Sequence, residues 1–539
     1  MSTKTDQVDV IIVGSGASGA AAAWSLSHQS GLRIVCLEQG DAADPSRYPS
    51  THVAWELERR DAFSSDPNVR GAWADYPIEC SDSPISLANY NGFGGSTVLY
   101  SGHFPRFHPS DFRVRSLDGI ASDWPFSYAE LEPYFERNER MMGVAGLIGD
   151  PAYPPYKQLL PPVPIGRAGQ RVAKGFDRLA WHWWPSYSAI NTAHSGTRPS
   201  CINLGPCNSG CAQGAKGSVD VTYWPEAMRR GVTVLRNSRV LTVELNAAGL
   251  AETVIYATPD GAHHRLRARL VVLAASGAGT PRLLLNSRSA AFPDGLLNEQ
   301  GLVGSNLMLH PLAYTEAVFD EDLESSVGPQ GCCIYSHEFY ETDPGRDFVR
   351  GYTMQVLRGA PALETAQAGW LMRRIPMGAG HHEAFAKLFN RTVGIAVIAE
   401  DLPSVHNRIT LDPSHPDSSG MPGVKVSYTL SENTRRMLQH GMKASRKVLE
   451  TAGGRVLSSF APVRHTGWHI MGTARMGISP RDSVVDADGR AHAVPNLFVV
   501  DSSVFVTSGA VNPVATAQAV TLYLCERIRQ ALDSTPTPC

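Results

Sequence analysis

The 539-residue sequence has no apolar run of the roughly 18 residues that a membrane-spanning helix needs. It has no excess of either charge, because 48 lysines and arginines stand against 51 aspartates and glutamates. The formal net charge of −3 gives no electrostatic attraction toward nucleic acid or an anionic membrane surface. Cysteine is also scarce, at nine residues. We therefore expect a globular protein without a membrane span, a nucleic-acid partner or a disulfide framework.

The N-terminus leaves little room for a targeting segment. A strand-like run begins within the first ten residues of "MSTKTDQVDVIIVGSG", before a signal-peptide core could fit. Hydrophobic residues make up 43% and charged residues 18% of the sequence, which is typical of folded proteins. The length predicts two to four domains. We expect a cytoplasmic, multidomain protein.

A glycine-rich turn lies between the first strand-like run and an alanine-rich helical stretch. In "VDVIIVGSGASGAAAAWSLS", Gly14, Gly16 and Gly19 have the GxGxxG spacing, and a second apolar run ends at Glu38. Such glycines let the backbone approach a pyrophosphate at the helix N-terminus, and the acidic residue can accept hydrogen bonds from the ribose hydroxyls. The alternative is a turn that binds nothing. The pattern alone fits NAD and FAD equally.

The distribution of strand-like segments favours a flavoprotein. An NAD domain would normally add its second βαβ half soon afterwards. This chain leaves the doubly wound pattern after residue 45, and another strand-like segment, "ARLVVLAASGAGTPRLLLNS", comes only at 268–287. Long insertions of this kind are more typical of an FAD domain.

Four further segments carry a family resemblance. They are "GGST" at 94–97, "GLVGSNLMLHP" at 301–311, "EDLPSVHNRITLDP" at 400–413, and the C-terminal "GWHIMGTARMG" with "FVVDSSVFVTSGAVNPVATAQAV". Together with the N-terminal turn, they resemble the glucose–methanol–choline (GMC) family of flavin alcohol oxidoreductases. The resemblance implies an α/β (α+β overall) fold. A Rossmann-like FAD domain with a parallel sheet would comprise residues 1–124, 200–310 and 465–539, and a substrate domain with a six-stranded antiparallel sheet would comprise 125–199 and 311–464.

The resemblance also implies which residues hold the cofactor. It assigns the ADP half of FAD to the glycine turn and Glu38, and the adenine to the backbone of Val240. It assigns the flavin or pyrophosphate to Gly94, Gly95 and Ser96, and the phosphates and ribityl chain to Asp501. Some family members tether FAD through a histidine at the position of Leu99 in this chain, so we predict non-covalent FAD.

The catalytic pair that the resemblance implies is His469 and Asn512. An imidazole that titrates near neutrality can remove the hydroxyl proton while hydride leaves the alcohol carbon. The amide of Asn512 can orient the hydroxyl and stabilise an alkoxide. His465, four residues earlier, would serve equally on composition, and Asn512 before Pro513 could simply begin a turn.

The loop "CINLGPCNSGC" contains Cys201, Cys207 and Cys211. With "DWPFSYAELEPYFERNE" at 123–139, it resembles the sugar-oxidising branch of the family, in which such a loop can hold a [3Fe–4S] cluster that accepts electrons from the flavin. The alternative is that the three thiols only pack under the FAD domain. A zinc site is less favoured, because no fourth ligand is evident.

The resemblance predicts FAD-dependent oxidation of a CH–OH group to an aldehyde or ketone on a sugar, amino sugar or similar polyol. One candidate is a hydroxymethyl group in aminoglycoside antibiotic biosynthesis. The aromatic stretch "WHWWPSY" at 181–187 could stack on a sugar, or it could equally be core packing. The electron acceptor could be oxygen, a quinone or a redox protein. The alternatives are a hydroxynitrile-lyase-like member without net redox chemistry and a non-catalytic flavin-binding scaffold.

Overall fold

The structure is a computed structural model that describes residues 7–52, 55–58, 62–193 and 198–534. The strands are β1 Gln7–Val13, β2 Ile34–Leu37, β3 Ile78–Glu79, β4 Trp184–Pro185, β5 Thr233–Leu235, β6 Arg239–Leu245, β7 Ala251–Ala257, β8 His263–Leu273, β9 Leu312–Val318, β10 Cys332–Ser336, β11 Tyr352–Leu357, β12 Thr392–Ala399, β13 Arg408–Pro416, β14 Pro422–Ser427, β15 Arg455–Phe460 and β16 Leu497–Val499. The α-helices are α1 Ala17–Leu26, α2 Trp55–Glu58, α3 Pro67–Arg70, α4 Val114–Asp118, α5 Tyr128–Met142, α6 Gly166–Leu179, α7 Tyr223–Arg229, α8 Ser276–Asn286, α9 Ala362–Leu371, α10 His381–Ala386, α11 Glu432–Thr451 and α12 Val514–Ser534.

A seven-stranded mixed sheet contains the first and the last strand of the described chain, β1 and β16. Its order is β5-β2-β1-β8-β7-β6, with β16 also paired to β8. The pairs β5–β2, β2–β1, β1–β8 and β8–β16 are parallel, whereas β6, β7 and β8 form an antiparallel meander. Helix α1 is apolar on all sides and almost wholly buried, as expected for a helix inside a large core. The segment 268–287 is a strand only up to Leu273 and continues as α8.

A second sheet is antiparallel throughout, with six strands in the order β15-β9-β12-β11-β10-β4. The buried face includes Ala317, Met354 and Val397, which share an apolar core with Met437 and Val448 of α11. Side chains alternate between the two faces of a strand, so the other residues of these strands point away from α11.

The predicted fold class is confirmed by these two sheets: a Rossmann-like unit with parallel strands and a separate six-stranded antiparallel sheet. A small third sheet, β13-β14-β3, lies beside them. The residue limits of the two domains stay a prediction.

Candidate active site

A cavity of about 1050 Å³ lies between the two sheets. Its wall on the side of the seven-stranded sheet includes Gly14, Gly16, Glu38, Gly95, Ser96, Val240 and Asp501. Its wall on the side of the six-stranded sheet includes Leu312, Tyr314, Gln355, Leu357, Ala396, Ile398 and Phe460. His103, His310, His469 and Asn512 also line the cavity. Most residues assigned to the cofactor and to catalysis therefore share one space.

Two glycine-rich turns pack against each other at one end of the cavity. Gly95 has φ +57°, and a Cβ on it would lie 2.6 Å from the Cα of Gly16. A Cβ on Gly19 would lie 1.9 Å from the carbonyl oxygen of Gly14. Gly19 and Gly94 are not part of the cavity wall: Gly19 packs closely on backbone, whereas a Cβ on Gly94, which has φ +95°, would meet side-chain atoms from 2.9 Å. The N-terminus of α1 is thereby left open to a pyrophosphate.

Glu38 is held beside this turn by three hydrogen bonds. Its Oε2 accepts from the backbone N–H of Ser15 at 2.9 Å and from the Ser15 hydroxyl at 2.7 Å, and its Oε1 accepts from Gly40 N–H at 2.9 Å. Burial raises the pKa of Glu38, while these hydrogen bonds lower it. Glu38 thus links the glycine turn to the end of β2, and both Glu38 and the glycine turn border the cavity.

Asp501 is anchored in a similar way. Its Oδ2 accepts from Ser276 N–H at 2.9 Å and from the Thr280 hydroxyl at 2.6 Å, and its Oδ1 accepts from Ser503 N–H at 2.8 Å. It therefore fixes the start of α8 at the cavity wall. Ser96 is exposed toward the cavity, where its hydroxyl donates to Asn89 Oδ1 at 3.2 Å.

The residues present fit an FAD molecule. The turns that approach each other through glycine leave backbone N–H groups accessible at a helix N-terminus, which suits a pyrophosphate. The same cavity of about 1050 Å³ is also lined by Val240, His469 and Asn512, so the residues expected at the adenine and those expected at the flavin border one space.

A short antiparallel ladder brings His310 and His469 together. Met308 and Met471 exchange both backbone hydrogen bonds, at 2.9 and 3.1 Å, so the residue two positions after Met308 faces the residue two positions before Met471. Gly472 is required in this ladder because it has φ +84° and a Cβ would lie 2.4 Å from the carbonyl oxygen of Asn306. Gly277 is required next to it, because a Cβ there would lie 2.3 Å from the carbonyl oxygen of Ile470.

The hydrogen bonds of His310 define the tautomers of both histidines. Its Nε2 lies 3.1 Å from Ser508 O and 3.0 Å from Gly509 O, and carbonyl oxygens only accept, so Nε2 carries hydrogen. Burial lowers the pKa of His310 to about 4, so the ring is neutral and its Nδ1 is an acceptor. The Nδ1 of His469, 2.8 Å away, is therefore the donor, and His469 Nε2 keeps a free lone pair.

Asn512 lies on the other side of His469. Its Nδ2 is 3.3 Å from His469 Nε2, and its Oδ1 accepts a hydrogen bond of 2.6 Å from Gln355 Nε2. Burial, followed by the neighbouring His310 and His103, lowers the pKa of His469 well below the ordinary value. The site therefore presents an unprotonated imidazole nitrogen and an amide N–H side by side on the cavity wall.

The structure places His469 and Asn512 side by side, as predicted, and places the alternative His465 and the aromatic stretch 181–187 elsewhere. His465 is exposed and is not part of the cavity wall. The aromatic stretch 181–187 also lies away from the cavity: Trp183 and Trp184 donate their ring N–H groups to Asp177 Oδ1 and Leu147 O. The expectation that this stretch stacks on a sugar in the site is therefore wrong.

Sequence reasoning missed His310 and Gln355. His310 lies in "GLVGSNLMLHP", which the resemblance marks only as a family segment, and its role depends on pairing with His469, 159 residues away. Gln355 lies on β11, where no local motif marks it.

The [3Fe–4S] prediction for Cys201, Cys207 and Cys211 is not supported by the geometry. The described part of the chain contains no group of three or more His, Cys, Asp or Glu residues that could hold a metal ion. The sulfur of Cys201 accepts from Asn203 N–H, that of Cys211 accepts from Lys216 N–H, and burial raises the pKa of Cys207 to about 11.

The buried ammonium of Lys216 connects the cysteine loop to the turn that follows Gly94 and Gly95. It donates to the carbonyl oxygens of Val98, Tyr100 and Cys207, each at 2.7 Å. The loop therefore packs under the FAD side of the cavity, which agrees with the packing alternative.

Within the described ranges, we find no helix that is both long and apolar enough to span a membrane. The cytoplasmic location stays a prediction.

Comparisons with known proteins cover the whole chain. Two family models described as GMC oxidoreductase match residues 189–312 and 403–521, and a model described as an NAD(P)-binding Rossmann-like domain matches 12–43. The chain is 39% identical to 2-methyl-1,2-propanediol dehydrogenase of Mycolicibacterium austroafricanum, over 100% of this chain and 99% of that protein. It is 31% identical to 6'''-hydroxyparomomycin C oxidase of Streptomyces lividus, over 97% and 92%.

A solved structure has the same fold. Pyridoxine 4-oxidase from Mesorbium loti matches with a TM-score of 0.68 and 19% identity, over 97% of this chain and 99% of that one. The named relatives are dehydrogenases and oxidases, so the comparisons support net oxidation and not the lyase alternative. The chain therefore belongs to the GMC oxidoreductase family, whose members are FAD-containing flavoproteins, and it is an alcohol oxidoreductase.

Proposed function

We propose that this enzyme oxidises a primary alcohol group of a small, branched aliphatic diol to the aldehyde, with His469 as the base. The single observation that carries the proposal is the combination at one wall of an unprotonated His469 Nε2, the Asn512 amide and an apolar sheet face. The 39% identity to a 2-methyl-1,2-propanediol dehydrogenase supports the substrate class.

The sheet face gives the substrate pocket its apolar character. Residues two apart on three neighbouring strands point into the cavity: Leu312 and Tyr314, Gln355 and Leu357, Ala396 and Ile398. Pairing of Ala396 with both Tyr314 and Gln355 brings these side chains into adjacent rows. A sugar would need several polar partners here, whereas a branched hydrocarbon can pack against this face. We therefore favour the small diol over a sugar or an aminoglycoside.

The reaction follows from the two polar groups. The substrate hydroxyl donates to His469 Nε2, which takes its proton as the C–H bond breaks. The Asn512 N–H donates to the oxygen, on which negative charge develops. FAD, when bound, supplies the acceptor for the hydride that leaves the carbon. His310 keeps the Nε2 of His469 unprotonated before the reaction, because its own Nδ1 accepts the other ring hydrogen.

We propose that FAD is bound without a covalent link to residue 99. Leu99 lines the cavity and is buried, and its side chain has no group that could form a bond to the flavin. Denaturation followed by ultrafiltration tests this directly, since free FAD should pass the filter and none should remain with the protein.

The substrate proposal is tested with purified, FAD-loaded enzyme and three alcohols: 2-methyl-1,2-propanediol, fructose and paromamine. Loss of the flavin absorbance is followed without oxygen, and turnover is then measured with oxygen and with an artificial electron acceptor. We expect the highest kcat/KM with the diol. Faster reduction by paromamine would replace this proposal with aminoglycoside oxidation, and no bleaching by any alcohol would contradict both.

A further inference from the structure

We propose that Gln355 is a positioning residue that sets the direction of the hydrogen-bond chain through Asn512 and His469, and so makes Asn512 a donor toward the substrate oxygen. The inference rests on the proposed function, since it concerns the same reacting oxygen. The six-stranded sheet, which carries Gln355, would then orient the groups that remove the proton, in addition to shaping the substrate pocket.

The chain of hydrogen bonds has one fixed end. The carbonyl oxygens of Ser508 and Gly509 require hydrogen on His310 Nε2. Each later contact then has only one favourable direction: His469 Nδ1 donates to His310 Nδ1, and His469 Nε2 is left as an acceptor. The atom of Asn512 that faces this nitrogen at 3.3 Å must therefore be the amide nitrogen and not the oxygen.

Gln355 stabilises the same orientation at the opposite end of the chain of hydrogen bonds. It is only 3% exposed, and its Nε2 donates to Asn512 Oδ1 at 2.6 Å. If both amides were reversed, Asn512 Oδ1 would face the lone pair of His469 Nε2, and two acceptors would repel each other. The two ends therefore agree only when Gln355 donates to Asn512 and Asn512 donates toward His469 and the cavity.

This direction matters for the reaction because the substrate oxygen gains negative charge. An amide N–H stabilises that charge, whereas an amide oxygen would oppose it. Gln355 occupies the Asn512 oxygen, so that the amide nitrogen of Asn512, with one N–H toward His469 and the other toward the cavity, stays on the substrate side. Gln355 does not need to touch the substrate to have this effect.

The variant Gln355→Glu tests the direction directly. An ionised carboxylate only accepts, so Asn512 would turn its amide nitrogen toward the new carboxylate and its oxygen toward the substrate. A protonated carboxyl can donate and would restore the wild-type direction. We expect kcat/KM of Gln355→Glu to be about 100-fold below wild type at pH 8, the size of one lost oxyanion donor, and to rise as the pH is lowered and the new carboxyl is protonated.

The matched control is Gln355→Met, which has a similar length and no titratable group. We expect its kcat/KM to fall about tenfold, the typical worth of one hydrogen bond, with a pH profile parallel to that of wild type. The titratable and charged side chains that share the cavity wall with Gln355 include His103, His310, His469, Tyr314, Arg358 and Glu364, and Tyr335 is its pairing partner on β10. These side chains are the same in wild type and in both variants. A kcat/KM that rises as the pH is lowered in Gln355→Glu alone therefore comes from the new carboxyl. Flavin content and absorbance of each variant are compared with wild type to verify FAD binding.

A parallel pH profile for Gln355→Glu and Gln355→Met would overturn the proposal, because Gln355 would then act only through packing. A second measurement does not depend on turnover or on these variants. In ¹⁵N-histidine-labelled, FAD-loaded wild type, the signals that disappear in His469→Ala should include an unprotonated Nε2 and a protonated Nδ1. The opposite tautomer would overturn the proposed direction. If wild type does not oxidise the diol, the substrate proposal fails while this tautomer still tests the hydrogen-bond chain.

Discussion

The two sheets contribute to the cavity in different ways. The side of the seven-stranded sheet presents backbone: the segment at Gly95 lies so close to the turn at Gly16 that a Cβ on Gly95 would be 2.6 Å from the Cα of Gly16. The six-stranded sheet presents side chains, with rows of Leu312, Leu357 and Ile398 around the single amide of Gln355. A substitution on a side-chain surface changes the contacts of one residue. A Cβ added between two closely packed backbone segments forces both segments apart. We therefore expect all-or-none effects on the first side and graded effects on the second.

The largest expected effect is on the backbone side. Gly95→Ala would introduce a Cβ 2.6 Å from Gly16 Cα at a residue with φ +57°, so we expect the purified protein to contain less than about a tenth of the wild-type FAD. The measurement is the ratio of flavin to protein absorbance. The control is Gly214→Ala, which also has a positive φ but open space around the new Cβ. Equal flavin content in both variants would contradict the backbone account.

The next effect concerns the base between the two sheets. His469→Ala removes the proton acceptor, and we expect the rate of flavin reduction by the diol to fall by about 10²–10⁴-fold. Rapid-mixing absorbance without oxygen measures this step. The matched control is His465→Ala, four residues earlier and exposed, which should reduce the flavin at the wild-type rate. An unchanged rate in the first variant would show that His469 is not the base.

A smaller and graded effect is expected on the side-chain wall. Ile398→Ser removes apolar surface that would contact the branched end of the substrate, so kcat/KM for 2-methyl-1,2-propanediol should fall about tenfold. The fall for ethylene glycol, which has no methyl groups, should be smaller. Ile478→Ser serves as control because Ile478 is 88% exposed. Equal losses for both diols would show that the wall does not recognise the branch.

The smallest expected effect is a shift of the acid limb of wild-type kcat/KM toward lower pH. Burial holds the pKa of His469 below the ordinary value, so the base stays unprotonated in mildly acidic solution. Activity is lost only as the pH falls through this lowered pKa, and the acid limb of kcat/KM in wild type should lie below pH ~6.5, the ordinary pKa of histidine. An acid limb at or above pH ~6.5 would mean that His469 is exposed to water in the FAD-loaded enzyme.

The same contrast explains what could be predicted from the sequence. Gly14, Gly16 and Glu38 lie within one βαβ unit, so their spacing reflects a local requirement. His310 and Gln355 depend on the register between distant strands, which a single sequence does not encode in any short window. The cysteine loop was misleading for a related reason: the spacing of Cys201, Cys207 and Cys211 says nothing about the direction in which each thiol points or about the lysine packed among them.

The ladder between Met308 and Met471 has a consequence for how such enzymes can diversify. All strands of the six-stranded sheet from β9 onward lie between these two residues in the chain. The ladder's register depends on the residues close to the pair and not on the number of residues between them. Insertions, deletions or whole replaced strands in the intervening segment can therefore change the alcohol that is accepted while His310 and His469 keep their pairing. A single residue inserted between Met308 and His310 would break that pairing at once.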